Sequence, residues 1–142
     1  HPGNAALPWK PTGWAAADAY AQAGIDDPRS AIGVAQVHDC FSLTELLSYE
    51  DLGFCEKGAA KEHIAAGDFE LGGSLPVNTD GGLKSFGHPT GATGVRMIYE
   101  NVLQLQGRAG ERQVPDAPGK LALSHNIGGH PTACGIAILG RG

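Results

Sequence analysis

A tight turn that carries one histidine into the start of a helix constrains this chain more than any other feature. The run Gly87-His88-Pro89-Thr90-Gly91-Ala92-Thr93-Gly94 has a proline that fixes one backbone angle, followed by small side chains. Apolar residues then recur at helical spacing: Val95, Ile98, Val102 and Leu105. Gly107 is a typical C-terminal stop for such a helix. The small residues let a ligand or another chain segment approach the backbone closely. A glycine-rich turn that merely contains a histidine is the simpler alternative.

Helical and strand-like segments alternate along the rest of the chain. Helices are predicted over residues 15–23 with Thr12 as cap, after the capping-box pattern Ser42-Leu43-Thr44-Glu45, and over residues 57–66. Short apolar runs predict strands over residues 32–37, 120–124 and 134–139. Strands separated by helices predict a mixed α/β sheet with covered faces, whose last two strands form an antiparallel hairpin. Residues 1–11 contain three prolines and predict an irregular lead-in to a domain over residues 12–142.

Composition excludes several classes of function. The 142 residues are 42% hydrophobic and carry a formal net charge of -5, so nothing indicates a nucleic-acid partner. No apolar run approaches the length that spans a membrane. The three cysteines form no CxxC pair, and no histidine pair has metal-ligand spacing, so neither a disulfide framework nor a metal site is predicted. A reducing cytoplasm fits this cysteine content best.

Three polar segments stand at the ends of apolar elements, where the loops of α/β sheets converge. They are His38-Asp39-Cys40-Phe41, the His88 turn, and His125-Asn126-Ile127-Gly128-Gly129. If a strand continued through His38 and Cys40, both would face the same side, and a thiol near a histidine can act as nucleophile or proton shuttle. A buried structural cysteine beside a hydrogen-bonded histidine is the alternative. Cys55 and Cys134 are predicted to be structural, and His1, His63 and His130 to be ordinary polar residues.

The three segments together resemble the C-terminal half of a thiolase. The octet closely resembles the GHPxGATG signature of that family, and the resemblance extends from about Lys10 to Leu139. His38-Asp39-Cys40-Phe41 resembles the sterol-carrier-protein-type branch, where it replaces Asn-Glu-Ala-Phe. The last segment departs from the common Cys-Ile-Gly-Gly-Gly pattern, because Asn126 occupies the position of the cysteine. The resemblance implies an α/β thiolase-fold half with a mixed five-stranded sheet and helices on both faces.

The resemblance also implies roles for individual residues. His88 would activate a nucleophilic cysteine, and Cys40, in place of the cysteine missing at Asn126, would move the proton of the substrate α-carbon. His38 would help complete an oxyanion hole for the enolate, and the Gly128 amide would serve a second one. A second set is expected to contact substrate: Asn126, Gly87, Pro89 and Gly91. Coenzyme A enters as substrate, and no further cofactor is implied.

One part of a thiolase has no counterpart in the chain. The acyl-accepting cysteine of thiolases lies in the N-terminal half, so this chain should be inactive alone and require that half, from the same polypeptide or from a partner. Homo-oligomers and a small OB-fold partner protein are further expectations from the family. The alternatives are a thiolase-fold aldolase that cleaves coenzyme A thioesters, and a non-catalytic assembly subunit. Retention of His88 and Cys40 argues against both.

Overall fold

A computed structural model describes residues 10–129 and 133–142 of the chain. The described residues form six helices and three strands, in this order: α1 Lys10–Ala23, α2 Pro28–Ala31, β1 Ile32–Val37, α3 Ser42–Asp51, α4 Ala60–Ala65, α5 Gly82–Phe86, α6 Thr93–Gln106, β2 Leu121–Gly128 and β3 Ala133–Leu139. Two short 3-10 turns, Gly110–Arg112 and Ala117–Gly119, connect α6 to β2. Among these elements, no helix is long and apolar enough to cross a membrane.

The sheet has the order β1-β2-β3. β1 runs parallel to β2, and β2 pairs antiparallel with β3, so the predicted mixed sheet and terminal hairpin are confirmed. The expectation of five strands is wrong for the described residues, which contain three. Next to β1, the chain contributes a single bridge between Ala35 and Val77. A strand does not form there because Pro76 lacks an N–H and Asn78 turns into the left-handed region at φ 51°.

Helices cover both faces of the sheet, as expected. One face packs against α1 and α3, where Ala16, Tyr49 and Leu52 meet Val37 and Leu123 in the larger apolar core. The other face packs against α6, where a smaller cluster joins Val34, Ala122 and Leu105. The histidine turn therefore stands at the end of a helix that lies directly on the sheet.

The face that α6 turns to the sheet is unexpectedly polar. Glu100, Asn101 and Gln104 are buried beside Met97, whereas Val95 is 69% exposed. Asn101 donates from Nδ2 to the Leu123 carbonyl and to Ser124 Oγ, both at 2.8 Å. These bonds tie α6 to β2. The periodic apolar residues thus lie partly on the outer face of the helix, while side-chain hydrogen bonds hold the inner face.

Local signals placed several boundaries incorrectly. α1 begins at Lys10, and Thr12 is a buried residue within it rather than its cap. α3 begins at Ser42 as expected, but its N-cap is Phe41 and no side chain caps it. Glu45 does not reach back to close a capping box, because its Oε1 accepts hydrogen bonds from Tyr49 and Asn78. Glu45 is thus bound by Tyr49 of its own helix and by the distant Asn78 rather than by the backbone at the N-cap.

β2 extends further than the apolar run predicts. Residues 125–128, expected to follow the strand, instead continue it and pair with β3. His130 and His1 lie outside the described residues. Consecutive residues of β2 therefore point to opposite faces of the sheet.

Candidate functional site

His38 lies immediately after β1 and is 3% exposed. Its backbone is fixed because Val37 N–H donates to Asn78 Oδ1 at 2.9 Å and His38 N–H donates to His125 Nδ1 at 3.4 Å. Its ring donates from Nδ1 to Asn126 Oδ1 at 2.8 Å. Burial lowers the pKa of His38, and the neighbouring His88 lowers it further, while the bond to Asn126 partly opposes them. The ring is therefore neutral near pH 7, with its proton on Nδ1.

His88 lies between α5 and α6, on the predicted turn. Gly87 ends α5 at φ 76°, a backbone conformation that favours glycine. Pro89 then supplies a carbonyl that accepts from the Thr93 N–H at 3.0 Å and from its hydroxyl at 3.2 Å. Because the Thr93 hydroxyl donates there, it accepts from His88 Nδ1 at 2.8 Å. In the tautomer with its proton on Nδ1, Nε2 is unprotonated, which is the form that a general base needs.

The structure brings the three polar segments together, as the sequence predicts. The ring centroids of His38 and His88 are 5.0 Å apart, with the planes at 80°. Asn126 completes the group by binding His38, and Gly94 of α6 lies against its amide. A Cβ at position 94 would approach Asn126 Nδ2 to 2.9 Å, so a side chain there would displace the Asn126 amide.

His125 was not among the expected site residues, yet it underlies the site. It is 0% exposed and is linked through Nε2 to Thr12 Oγ1 of α1 at 3.1 Å. Burial, together with the charge of His38, lowers the pKa of His125 to about 3. Since Nδ1 accepts from the His38 backbone, the neutral ring carries its proton on Nε2. The alternation of side chains along a strand could have identified His125, had β2 been predicted to extend to Gly128.

Cys40 lies in the loop before α3, not on a continued strand, because β1 ends at Val37. Its thiol is exposed, and its Sγ lies 3.8 Å from Thr44 Oγ1. A cleft shared with Asp39, Lys84 and His88 adjoins it. The alternative of a buried, inert Cys40 is therefore wrong, and a substrate atom can reach the thiol.

The other two cysteines behave as expected for structural residues. Cys55 and Cys134 are each half-buried. Burial raises the pKa of the Cys55 thiol to about 11 and also raises that of Cys134. The raised pKa values disfavour the thiolate form of both cysteines near neutral pH.

The loop around Asp39 is held in place by a close approach. Asp39 Oδ1 accepts from the Leu83 N–H at 2.9 Å, and a Cβ at Gly82 would lie 2.3 Å from Asp39 Oδ2. Gly82 also has φ 61°, so a side chain there would be strained. This contact connects the loop that carries Cys40 to α5, which leads into His88.

Of the remaining predicted residues, Gly91 lines an open groove beside Asn126. The groove has a volume of about 360 Å³ and is lined by Gly91, Val95 and Ile98 on one side and by Gly135 and Ile136 on the other. Gly87 and Pro89 shape the turn that ends at its rim. Gly128 lies at the exposed end of β2, paired with Ala133. The groove is connected to His38 through Asn126, which is part of its lining and binds the His38 ring.

Comparison with known proteins decides the family. Residues 5–141 match a family described as "Thiolase C-terminal domain-like". The chain belongs to this thiolase C-terminal domain family. It is 46% identical to an acetyl-CoA acetyltransferase of Methanothermobacter thermautotrophicus over 110 residues, and 46% identical to human sterol carrier protein 2 over 114 residues. A benzoylsuccinyl-CoA thiolase subunit, BbsB of Thauera aromatica, is 36% identical over 110 residues. The resemblance inferred from the three motifs is confirmed.

The matched segment is a minor part of the relatives. It covers 78% of this chain but 28% of the Methanothermobacter enzyme, and 80% of this chain but 20% of human sterol carrier protein 2. A solved structure, the Ltp2-ChsH2(DUF35) aldolase, superposes with a TM-score of 0.75 at 35% identity, covering 91% of this chain and 31% of that one. The thiolase C-terminal domain therefore serves proteins with more than one named activity.

Proposed function

We propose that this chain supplies the C-terminal half of the active site of an acyl-CoA thiolase, which cleaves 3-ketoacyl-CoA or forms it by Claisen condensation. The observation that supports this most is the convergence of His38, His88 and Asn126 beside an accessible Cys40. Claisen chemistry needs a nucleophile, a base near neutral pH and fixed donors where negative charge develops. This chain has candidates for the last two.

His88 is the proposed base toward a nucleophilic thiol. Thr93 holds its proton on Nδ1, so Nε2 can take the thiol proton without a change of tautomer. The start of α6 lies at the same turn, and the positive end of a helix favours negative charge on a thioester oxygen. Loss of a general base lowers a rate by about a hundredfold or more.

Cys40 is the proposed proton carrier for the α-carbon of the substrate. Its thiolate would take the α-proton as the enolate forms and return a proton after the new bond is made. In its neutral form His38 lacks a proton on Nε2, so it would stabilise the enolate oxygen only after gaining one. The Gly128 amide is the proposed donor for the tetrahedral intermediate.

The nucleophilic cysteine would come from an N-terminal half. The outer face of α6 favours such a partner because Val95, Ile98 and Tyr99 are 69%, 40% and 63% exposed beside the groove. An uncovered apolar stripe on a helix is typical of an interface. We include in the proposal coenzyme A as substrate, assembly into homo-oligomers, and a small OB-fold partner. A cytoplasmic location belongs to the same proposal.

An aldolase acting on coenzyme A thioesters is the second candidate, since the superposed structure is described as an aldolase. Relatives of that kind tend to use tyrosine in place of the thiolase histidine. Here His88 is present, and Tyr99 lies on the outer face of α6 with 63% exposure. The other two, Tyr20 and Tyr49, donate to the Leu52 carbonyl and to Glu45. Burial raises the pKa of both tyrosines, which disfavours them as bases. These observations favour the thiolase.

A chimera tests the proposal. The part of the Methanothermobacter acetyl-CoA acetyltransferase that precedes its matched segment would be joined to this chain, and cleavage of acetoacetyl-CoA by coenzyme A measured. We expect activity from the chimera, none from the 142-residue chain alone, and a loss of at least about a hundredfold in kcat/KM for His88→Ala. A folded chimera that cleaves an aldol substrate but not acetoacetyl-CoA would favour the aldolase. Near-normal thiolysis by His88→Ala would remove His88 from the mechanism.

A further inference from the structure

Two neighbouring residues of β2 both bind His38, from opposite faces of the sheet. His125 Nδ1 accepts from the His38 backbone N–H at 3.4 Å. Asn126 Oδ1 accepts from the His38 ring at 2.8 Å. Alternation along a strand explains the arrangement, because consecutive side chains point in opposite directions. The backbone and the ring of one histidine are thus held by two adjacent positions.

We propose that His125 and Asn126 act as positioning residues that clamp His38, and that Asn126 selects the tautomer in which His38 carries its proton on Nδ1 and leaves Nε2 as an acceptor. The value of this clamp for catalysis rests on the proposed function. The clamp itself depends only on contacts within this chain.

The backbone half of the clamp is anchored deeply. His125 is fully buried, and its Nε2 contacts Thr12 Oγ1 of α1 at 3.1 Å. Asn78 binds the preceding N–H, that of Val37. The end of β1 is therefore held by a side chain on each side, and the Cα–Cβ bond of His38 has a fixed direction.

The ring half of the clamp is supported by α6. Gly94 approaches the Asn126 amide on its Nδ2 side, leaving Oδ1 toward the ring. A carbonyl oxygen accepts and cannot donate, so it stabilises the Nδ1–H form of His38. A neutral His38 then offers Nε2 as a proton acceptor. Donation from Nε2 to an enolate oxygen becomes available only once the ring has gained a second proton.

Nuclear magnetic resonance of the 15N-histidine-labelled 142-residue chain tests this directly. Long-range proton–nitrogen correlations distinguish a protonated ring nitrogen from an unprotonated one. We expect opposite tautomers for the two neighbours in the fold: Nδ1–H for His38 and Nε2–H for His125. The signals are assigned with His38→Gln and His125→Gln variants.

Substitutions at Asn126 test the selection of the tautomer. Asn126→Asp retains an acceptor and should keep Nδ1 of His38 protonated, while its carboxylate favours a second proton on Nε2. Asn126→Ala removes it and should give a mixture of tautomers at His38 while leaving the His125 signals in place. Thr93→Val is the matched control, because it removes the acceptor of His88 and should change the His88 signals without changing the tautomer of His38.

Two results would overturn the proposal. One is a wild-type His38 that carries its proton on Nε2 or populates both tautomers. The other is an Asn126→Ala spectrum in which His38 is unchanged. Neither result depends on thiolase activity, so failure of the chimera and failure of the clamp are separate outcomes.

Discussion

Acid should destabilise this chain through His125 in particular. The folded protein holds this ring neutral, with a pKa lowered to about 3, whereas an ordinary histidine takes up a proton near pH 6.5. Between these values the unfolded chain binds a proton that the folded chain does not. The stabilisation is therefore present above about pH 6.5 and is lost as the pH falls toward 3.

The size of the effect follows from the shift. Each pKa unit corresponds to about 1.4 kcal/mol, so lowering the pH from about 7.5 to about 5 should remove roughly 2 kcal/mol of unfolding free energy at this residue. His125 is fully buried, so solvent screening does not reduce this figure. For a domain of this size, that loss is a large fraction of the total stability.

His125→Gln isolates the contribution, because glutamine stays neutral while its amide can still accept from one partner and donate to another. Urea unfolding followed by circular dichroism at several pH values gives the free energy for each protein. The wild-type value should fall by roughly 2 kcal/mol more than that of His125→Gln over this pH range. Parallel curves for the two proteins would refute the assignment of His125 as a buried neutral ring.

Two further outcomes follow from the packing and from the thiols. Asn101→Ala should lower the unfolding free energy by about 1–3 kcal/mol, because it removes a buried donor from the Leu123 carbonyl and Ser124 Oγ. Gln106→Ala on the exposed side of α6 should change it little, and equal effects of the two variants in urea unfolding would contradict this. Maleimide at neutral pH should label the exposed Cys40 before Cys55 and Cys134, because burial raises the pKa of the latter two thiols. Peptide mapping that finds Cys134 labelled first would be inconsistent with the burial described.

Features set by local chemistry were predictable from the sequence. β1 was indicated by its apolar run, and the structure buries all six of its residues. The end of α6 was indicated by Gly107, which adopts φ 70° as a C-terminal cap. The meeting of His38, His88 and Asn126 was predicted from loops that converge at strand ends, although Asn126 lies within β2 itself.

Features that depend on distant partners were not predictable in the same way. Threonine is a residue type that often caps helices, but the Thr12 hydroxyl binds His125, 113 positions away. The inner face of α6 is polar because its side chains find partners on β2 and on the segment around Arg112. The described sheet has three strands because the chain beside β1 turns at Asn78, whose side chain binds Val37 and Glu45. No pattern within a short window records such contacts.

The most direct test of the central claim asks which thiol moves the α-proton. In the active chimera, deuterium wash-in at the α-carbon of acetyl-CoA would be measured for Cys40→Ala and for Cys134→Ala. We expect Cys40→Ala to abolish exchange while the nucleophilic cysteine is still acylated, and Cys134→Ala to exchange normally with a modest loss of stability. Normal exchange by Cys40→Ala together with loss of exchange in Cys134→Ala would contradict the proposed site.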